Sequence, residues 1–94
     1  MLTKQNKALL RKVGHTIEHP YLLGKGEVDA NFLAQLDAAL KAKELIKVKL
    51  LSNCATSIQD VANIICRNLH AEIVDIIGHT ALVYRESEKR IYLK

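Results

Sequence analysis

The chain contains no tryptophan, one phenylalanine and three tyrosines among its 94 residues. Proteins that recognise single-stranded nucleic acid by stacking need exposed aromatic rings, so this scarcity argues against recognition that relies mainly on base stacking. No apolar run approaches the roughly 20 residues that a membrane span needs, and the first residues lack the apolar core of a secretory signal. We therefore expect a soluble, cytoplasmic protein that does not contact a membrane.

Cysteine is also rare: Cys54 and Cys66 are the only two, and they do not form a CxxC pair. A structural zinc site needs more sulfur or nitrogen ligands at closer spacing, so we predict two reduced thiols, with Cys66 on a helix. The chain has neither a nucleophile elbow nor a complete Walker motif. We therefore expect no metal, no cofactor and no enzymatic activity.

One string is nevertheless typical of an enzyme class. His15-Thr16-Ile17-Glu18-His19 matches the H-x-x-E-H pattern in which two histidines on one helix face bind zinc and the glutamate acts as base. Pro20 ends the helix at the second histidine, and no obvious third ligand follows. We favour two surface histidines, and a zinc hydrolase remains the alternative.

Positive charge is what the chain has in excess, with a formal net charge of +4. Residues 1–50 carry nine Lys or Arg against five Asp or Glu, and residues 51–94 carry five of each. The densest part is the first predicted helix, with Lys4, Lys7, Arg11 and Lys12. A one-sided basic field suits a polyanion, and a solvated helix face that serves solubility is the simpler alternative.

Hydrophobic periodicity predicts three helices and four strands in a single domain over residues 1–94. Lys47 and Lys49 alternate with Ile46, Val48 and Leu50, which predicts a strand with one face toward solvent. Helical crossovers imply parallel strand pairs, and the Gly78-His79 turn adds an antiparallel pair. The predicted order is α-β-α-β-α-β-β, with a mixed four-stranded sheet. The predicted elements are a helix from Thr3 to about Glu18, a strand over Tyr21–Leu23, a helix from Asp29 to about Lys43, a strand over Leu45–Leu51, a helix capped by Ser57, and strands over Ile73–Ile77 and Ala81–Tyr84.

A glycine-flanked lysine, Gly24-Lys25-Gly26, joins the first strand to the second helix. Glycine lets backbone N–H groups approach an anion closely, and the helix N-terminus adds a partial positive charge. Strand, loop and helix together predict a phosphate contact. A tight strand-to-helix turn with a solvated lysine is the alternative.

Four segments in this order resemble the YhbY-like proteins, the bacterial stand-alone form of the CRM domain. They are Leu2-Thr3-Lys4-Gln5, Leu23-Gly24-Lys25-Gly26, Glu44-Leu45-Ile46-Lys47-Val48-Lys49, and Ile77-Gly78-His79-Thr80 with Leu82-Val83-Tyr84-Arg85. The resemblance implies an RNA-binding α/β domain whose fold is similar to the C-terminal domain of bacterial translation initiation factor three. It also implies association with precursors of the large ribosomal subunit, as in bacterial members; plant relatives act in organellar intron splicing.

The resemblance further implies that the strand-to-helix loop is a GxxG loop of the kind that clamps RNA backbone in KH domains. Gly24, Lys25 and Gly26 match three positions, but Glu27 stands where the motif has its last glycine. Its carboxylate would repel a phosphate. His70 occupies a place where relatives often have glycine, so it must tolerate a left-handed turn.

We therefore interpret the chain as a non-enzymatic protein that contacts structured RNA mainly through the phosphate backbone, with ribosomal RNA of a large-subunit precursor as its partner. Lys47 and Lys49 are either further contacts or solvated lysines of the sheet, and Arg85 is either a contact or a surface residue. A protein-interaction adaptor that uses its basic helix on an acidic partner is the rival hypothesis. The predicted RNA contacts are Lys4, Lys7, Arg11, Lys12, Gly24, Lys25, Gly26, Lys47, Lys49 and Arg85.

Overall fold

The computed structural model describes residues 2–17, 19–24, 28–51 and 57–86. Its element order, α-β-α-β-α-β-β, confirms the predicted fold class of three helices and a mixed four-stranded sheet. The elements are α1 (Lys4–Gly14), β1 (Tyr21–Leu23), α2 (Ala30–Lys43), β2 (Leu45–Leu50), α3 (Ile58–Leu69), β3 (Glu72–Ile77) and β4 (Thr80–Tyr84). Within the described ranges, no helix is long and apolar enough to cross a membrane.

Each helix begins at a short polar side chain that accepts a hydrogen bond from a first-turn amide. Thr3 caps α1 by accepting from the Asn6 N–H at 3.0 Å. Asp29 caps α2 in the same way at 2.7 Å, and Ser57 caps α3 at 3.2 Å. These bonds satisfy donors that a helix start would otherwise leave unpaired, which explains why the predicted starts are confirmed.

The end of α1 differs from the prediction, because the helix stops at Gly14 rather than near Glu18. The carbonyl of Val13 accepts from both the Thr16 N–H at 3.0 Å and the Thr16 hydroxyl at 2.7 Å. The Ile17 N–H then donates to Gly14 O at 3.1 Å. These bonds span three residues and tighten the last turn, so the chain leaves the helical path before Pro20 is reached.

The sheet has the strand order β1-β2-β4-β3. β1 pairs with β2 in parallel, as the α2 crossover predicts. The α3 crossover, however, does not produce a second parallel pair, because β4 lies between β2 and β3 and is antiparallel to both. Residues 81–84 of β4 are all buried. This continuous run without an exposed side chain suits a central strand better than an edge.

Helices cover both faces of the sheet. α2 and α3 pack on one face, where Ile46, Val48 and Leu50 belong to the larger core cluster. α1 packs on the opposite face, where Leu10 meets Leu45, Val74, Leu82 and Tyr84. The prediction that the second face of β2 points to solvent is therefore wrong for its first half, because α1 needs a sheet surface on which to bury Leu10.

Two residues adopt left-handed backbone where the sequence predicted a sharp turn. Gly78 has φ 59° in the two-residue turn between β3 and β4, whose flanking residues Ile77 and Thr80 are paired. His70 has φ 55° and ψ 43° at the end of α3, so it does take the left-handed conformation that the resemblance requires. Such a conformation is uncommon for residues other than glycine but is more frequent for histidine.

Gly14 allows α1 to lie close to the sheet. A Cβ at this position would lie 2.6 Å from Cδ1 and 2.7 Å from Cδ2 of Leu82, whose side chain is buried. Because either the buried Leu82 side chain or the helix would have to shift, we expect Gly14→Ala to lower the free energy of unfolding by about 1–2 kcal/mol, despite the better helix propensity of alanine. Urea denaturation measures this loss.

Leu82→Ala is the matched partner for that test, because it removes the atoms that an alanine at position 14 would meet. The double variant should be destabilised by less than the sum of the two single variants. Strict additivity would mean that Gly14 and Leu82 do not restrict each other.

Candidate nucleic-acid interface

Three of the four basic residues of α1 lie away from its buried stripe, as predicted, and Lys7 borders the stripe. Leu10 and Gly14 face the sheet, whereas Lys4, Arg11 and Lys12 are exposed and Lys7 is half-buried. At about 100° per residue, Lys4, Lys7 and Arg11 fall within roughly 60° of one another, and Lys12 lies about 100° beyond Arg11. α1 therefore presents one basic flank and one further lysine.

An ion pair attaches the basic flank to the sheet. Nε of Arg11 lies 3.0 Å from Oδ2 of Asp75 on β3. The other carboxylate oxygen of Asp75 accepts from the Ile76 N–H at 2.9 Å, which holds the carboxylate in place. The Arg11 side chain remains half exposed, so it can still contact an anion while the pair fixes the orientation of α1.

Lys47 and Lys49 of β2 point to the same face of the sheet as α1. The Lys47 ammonium group donates to the carbonyl of Ile17 at 3.3 Å and so holds the segment that follows α1. An ammonium group has three donors, which leaves two for other acceptors. Lys49 is exposed and is paired in register with Thr80 of β4.

A shallow groove of about 200 Å³ lies where α1 ends above the sheet. It combines apolar walls with a lysine, a histidine and a carboxylate. Its lining residues are Gly14, His15, Lys47, Asp75, Ile77, Thr80 and Leu82.

The predicted phosphate loop begins at the end of the sheet that lies beyond this groove. Gly24 follows β1 directly and is exposed, with Leu51 beside it. The Leu51 N–H donates to Leu23 O at 3.0 Å, and the Leu50 N–H donates to His79 O at 2.7 Å. The end of β2 therefore lies between the start of this loop and the β3–β4 turn, at the same end of the sheet. Lys25, Gly26 and Glu27 lie outside the described residues.

Arg85, the last predicted contact, is held inside the protein. Its Nη1 donates to Oδ1 of Asp37 at 2.7 Å and to the carbonyl of Leu69 at 2.9 Å, and its Nη2 donates to the carbonyl of Asp37 at 3.0 Å. The side chain is 19% exposed. Arg85 thus joins β4 to α2 and to the end of α3. Asp37 lies 48 residues away in sequence, so no local pattern could have indicated this partner.

Two of the ionisable groups, Asp37 and Cys66, have pKa values that are shifted from their ordinary values. The hydrogen bond from Arg85 is the main reason why the pKa of Asp37 lies below its ordinary value, and a second hydrogen bond from Lys41 adds to this effect. Burial, with a smaller effect of the Glu72 carboxylate, raises the pKa of the Cys66 thiol to about 11. Cys66 is a free cysteine on α3, as predicted, and at neutral pH its thiol is protonated and a poor nucleophile. Cys54 lies outside the described residues.

The histidines of the H-x-x-E-H string do not share a helix face. His15 is the residue that caps the end of α1, and His19 lies beyond the helix. The zinc pattern requires both side chains to project from the same helix one turn apart. Glu18 lies outside the described residues, and the part of the chain that is described contains no group of three His, Cys, Asp or Glu side chains that could hold a metal ion.

Residues 2–85 match the family model of the CRS1 / YhbY (CRM) domain. The chain therefore belongs to this family, as the four sequence segments indicate. The solution structure of the Staphylococcus aureus protein SAV1595 has the same fold, with a TM-score of 0.82 and 33% sequence identity. The match covers 100% of this chain and 98% of that chain.

Two bacterial relatives are similar over nearly their full length. The "Probable RNA-binding protein YqeI" of Bacillus subtilis is 38% identical over 89 residues, which covers 95% of this chain and 93% of the relative. A Haemophilus influenzae relative named "RNA-binding protein" is 33% identical over 88 residues, covering 94% of this chain and 89% of the relative.

The contacts of Arg85 predict a structural effect when it is replaced. Arg85→Leu removes the hydrogen bonds to Asp37 and Leu69, so we expect the free energy of unfolding to fall by about 1–3 kcal/mol at neutral pH. Because the folded pKa of Asp37 is lowered, its contribution is fully present above the ordinary value of 3.8 and is lost as the pH falls through the folded pKa. Arg85→Leu should therefore also weaken the acid dependence of stability. Denaturant unfolding across a pH series measures both effects.

Asp37→Asn is the matched variant, since it should weaken the same acid dependence without removing Arg85. An Arg85→Leu protein of unchanged stability that binds RNA less tightly would instead make this residue a phosphate contact.

Proposed function

We propose that this protein binds structured RNA, mainly through the phosphate backbone, and that it does so without catalysing a reaction. The observation that carries this proposal is that α1 and two lysines of β2 lie on the same face of the sheet. α1 packs on the face of the sheet to which Lys47 and Lys49 point, and Gly24 opens the predicted phosphate loop at the end of that sheet. Phosphate contacts of this kind position a protein without specifying sequence.

The distribution of charge supports this assignment. Six cationic side chains lie on the α1 side of the sheet. The strands place two carboxylates on the same side, those of Glu72 and Asp75. Glu72 accepts from the Leu2 N–H at 2.9 Å, and Asp75 pairs with Arg11. On the opposite side, Lys41 pairs with Asp37 at 3.3 Å. The six cationic residues are Lys4, Lys7, Arg11, Lys12, Lys47 and Lys49.

The proposed surface includes the basic residues of α1, Lys47, Lys49 and the loop that begins at Gly24, and it leaves out Arg85. Arg85 is excluded because its guanidinium group is already bound to Asp37 and to the Leu69 carbonyl. The names of the relatives support RNA as the ligand. The scarcity of aromatic residues supports recognition of backbone and shape over stacking.

The salt dependence of RNA binding tests the surface. In the triple variant Lys4→Ala, Lys7→Ala, Lys12→Ala, we expect the slope of log K against log salt to become shallower by about 2–3 units, since each phosphate contact contributes about 0.7–0.9. Different stem-loop RNAs should be weakened to a similar extent. Fluorescence titration of a stem-loop RNA over a range of salt concentrations measures the slope.

The matched control removes three cations from the opposite side of the sheet, Lys41, Lys43 and Arg67, which lie on α2 and α3. Replacing them with alanine should leave the slope near that of the parent. Equal slopes for the parent and the α1 triple variant would exclude α1 from the RNA surface. Loss of a nuclease-resistant protein partner in that variant would favour the adaptor hypothesis.

We also propose ribosomal RNA of a large-subunit precursor as the partner, on the basis of the family resemblance. Crosslinking in cells, followed by sequencing of the bound RNA, should recover precursor RNA of the large subunit, with crosslinked peptides from α1 and β2. Recovery of dispersed messenger RNA alone would contradict the ribosomal assignment and leave RNA binding intact.

A further inference from the structure

One row of residues crosses all four strands on the α1 face of the sheet. Leu22 of β1 is in register with Lys49 of β2, Lys49 with Thr80 of β4, and Thr80 with Ile77 of β3. Neighbouring strands lie about 4.8 Å apart, so the row is about 14 Å long. We call these four residues, Leu22, Lys49, Thr80 and Ile77, the terminal row.

α1 leaves the terminal row uncovered because the helix is too short to reach it. Gly14, the last residue of α1, lies directly against Leu82. Leu82 is in register with Lys47 and Asp75. These three residues form the row that precedes the terminal row on the α1 face of the sheet. The helix therefore ends one row short, and the groove described above opens toward Ile77 and Thr80.

The two ends of the terminal row are exposed apolar side chains. Leu22 is 53% exposed and Ile77 is 51% exposed, although both lie on strands of the sheet. An ammonium group, that of Lys49, stands between them, and Lys47 is on the same face of the same strand. Lysine is depleted in protein–protein interfaces, so a row with a lysine at its centre fits a protein partner poorly.

A nucleotide offers the matching combination of groups. Its base has apolar faces, and its phosphate attracts an ammonium group. We propose that the terminal row binds an unpaired nucleobase of the RNA, with Leu22 or Ile77 against the base and Lys49 on the adjoining phosphate. This inference rests on the proposed function and adds to it a preference for RNA that contains unpaired nucleotides.

The position of the row supports RNA as the occupant. Leu22 is two residues before Gly24, where the predicted phosphate loop begins. At the other end, the groove reaches His15 at the end of α1 and Asp75, the partner of Arg11. A backbone that follows the basic flank of α1 toward the loop therefore passes over the terminal row.

The test uses two stem-loop RNAs of identical length and phosphate number, one with normal loop nucleotides and one with abasic loop nucleotides. We expect the parent protein to bind the normal loop about three to ten times more tightly, because only this loop can place bases on apolar side chains. The double variant Leu22→Ala, Ile77→Ala should lose this preference and bind both RNAs as the parent binds the abasic one.

Two further variants separate base contacts from other effects. Lys49→Ala should weaken binding of both RNAs by a similar factor, because it removes a phosphate contact that both can make. Leu9→Ala removes a comparably exposed leucine, 46% exposed, from α1 and should leave the preference unchanged. Thermal melting of each variant confirms that the fold is kept.

Equal binding of both RNAs by the parent would overturn the inference and leave the proposed function standing. Failure of the parent to bind either RNA would overturn both. If the double variant keeps the preference for the normal loop, the base binds elsewhere. If the double variant binds RNA normally but loses self-association or a protein partner, the terminal row is a protein interface and the inference is wrong.

Discussion

The position of α1 on the sheet depends on the close approach between Gly14 of α1 and the side chain of Leu82 on β4. Leu82 belongs to the central part of the sheet, and the absence of a side chain at position 14 lets the helix rest on it. Next to this contact, Leu10 packs in the smaller core cluster, which lies between α1 and the sheet. Because this contact fixes where α1 lies on the sheet, it also influences which side chains of α1 face solvent.

A sheet that is covered on both faces needs two apolar clusters, and a chain of 94 residues has few apolar side chains to divide between them. The larger cluster, under α2 and α3, holds the bulk of the buried side chains, and the smaller cluster is built around Leu10, Leu45 and Val74. The smaller cluster occupies only the half of the sheet near the start of β2. The other half of that face carries Lys49 and Thr80 together with the exposed Leu22 and Ile77, so a basic group lies beside exposed apolar ones.

Local patterns predicted most of the secondary structure, for reasons visible in single residues. Thr3, Asp29 and Ser57 mark helix starts because each makes its capping bond within three residues. The alternation around Lys47 and Lys49 identified β2 and the orientation of its side chains. Features that depend on residues far apart in sequence were missed: the insertion of β4 between β2 and β3, the burial of Arg85 against Asp37, and the packing of α1 over Leu45.

The position of β4 in the sheet has a consequence for how the chain folds. β4 comes after the other described elements in the chain, yet it joins β2 to β3 and supplies Leu82 and Tyr84 to the cluster under α1. Without β4 the sheet is incomplete, and the surface under α1 lacks Leu82 and Tyr84. Because β2 pairs with a strand that lies far along the chain, we expect the sheet to form in a cooperative transition that depends on contacts between distant residues.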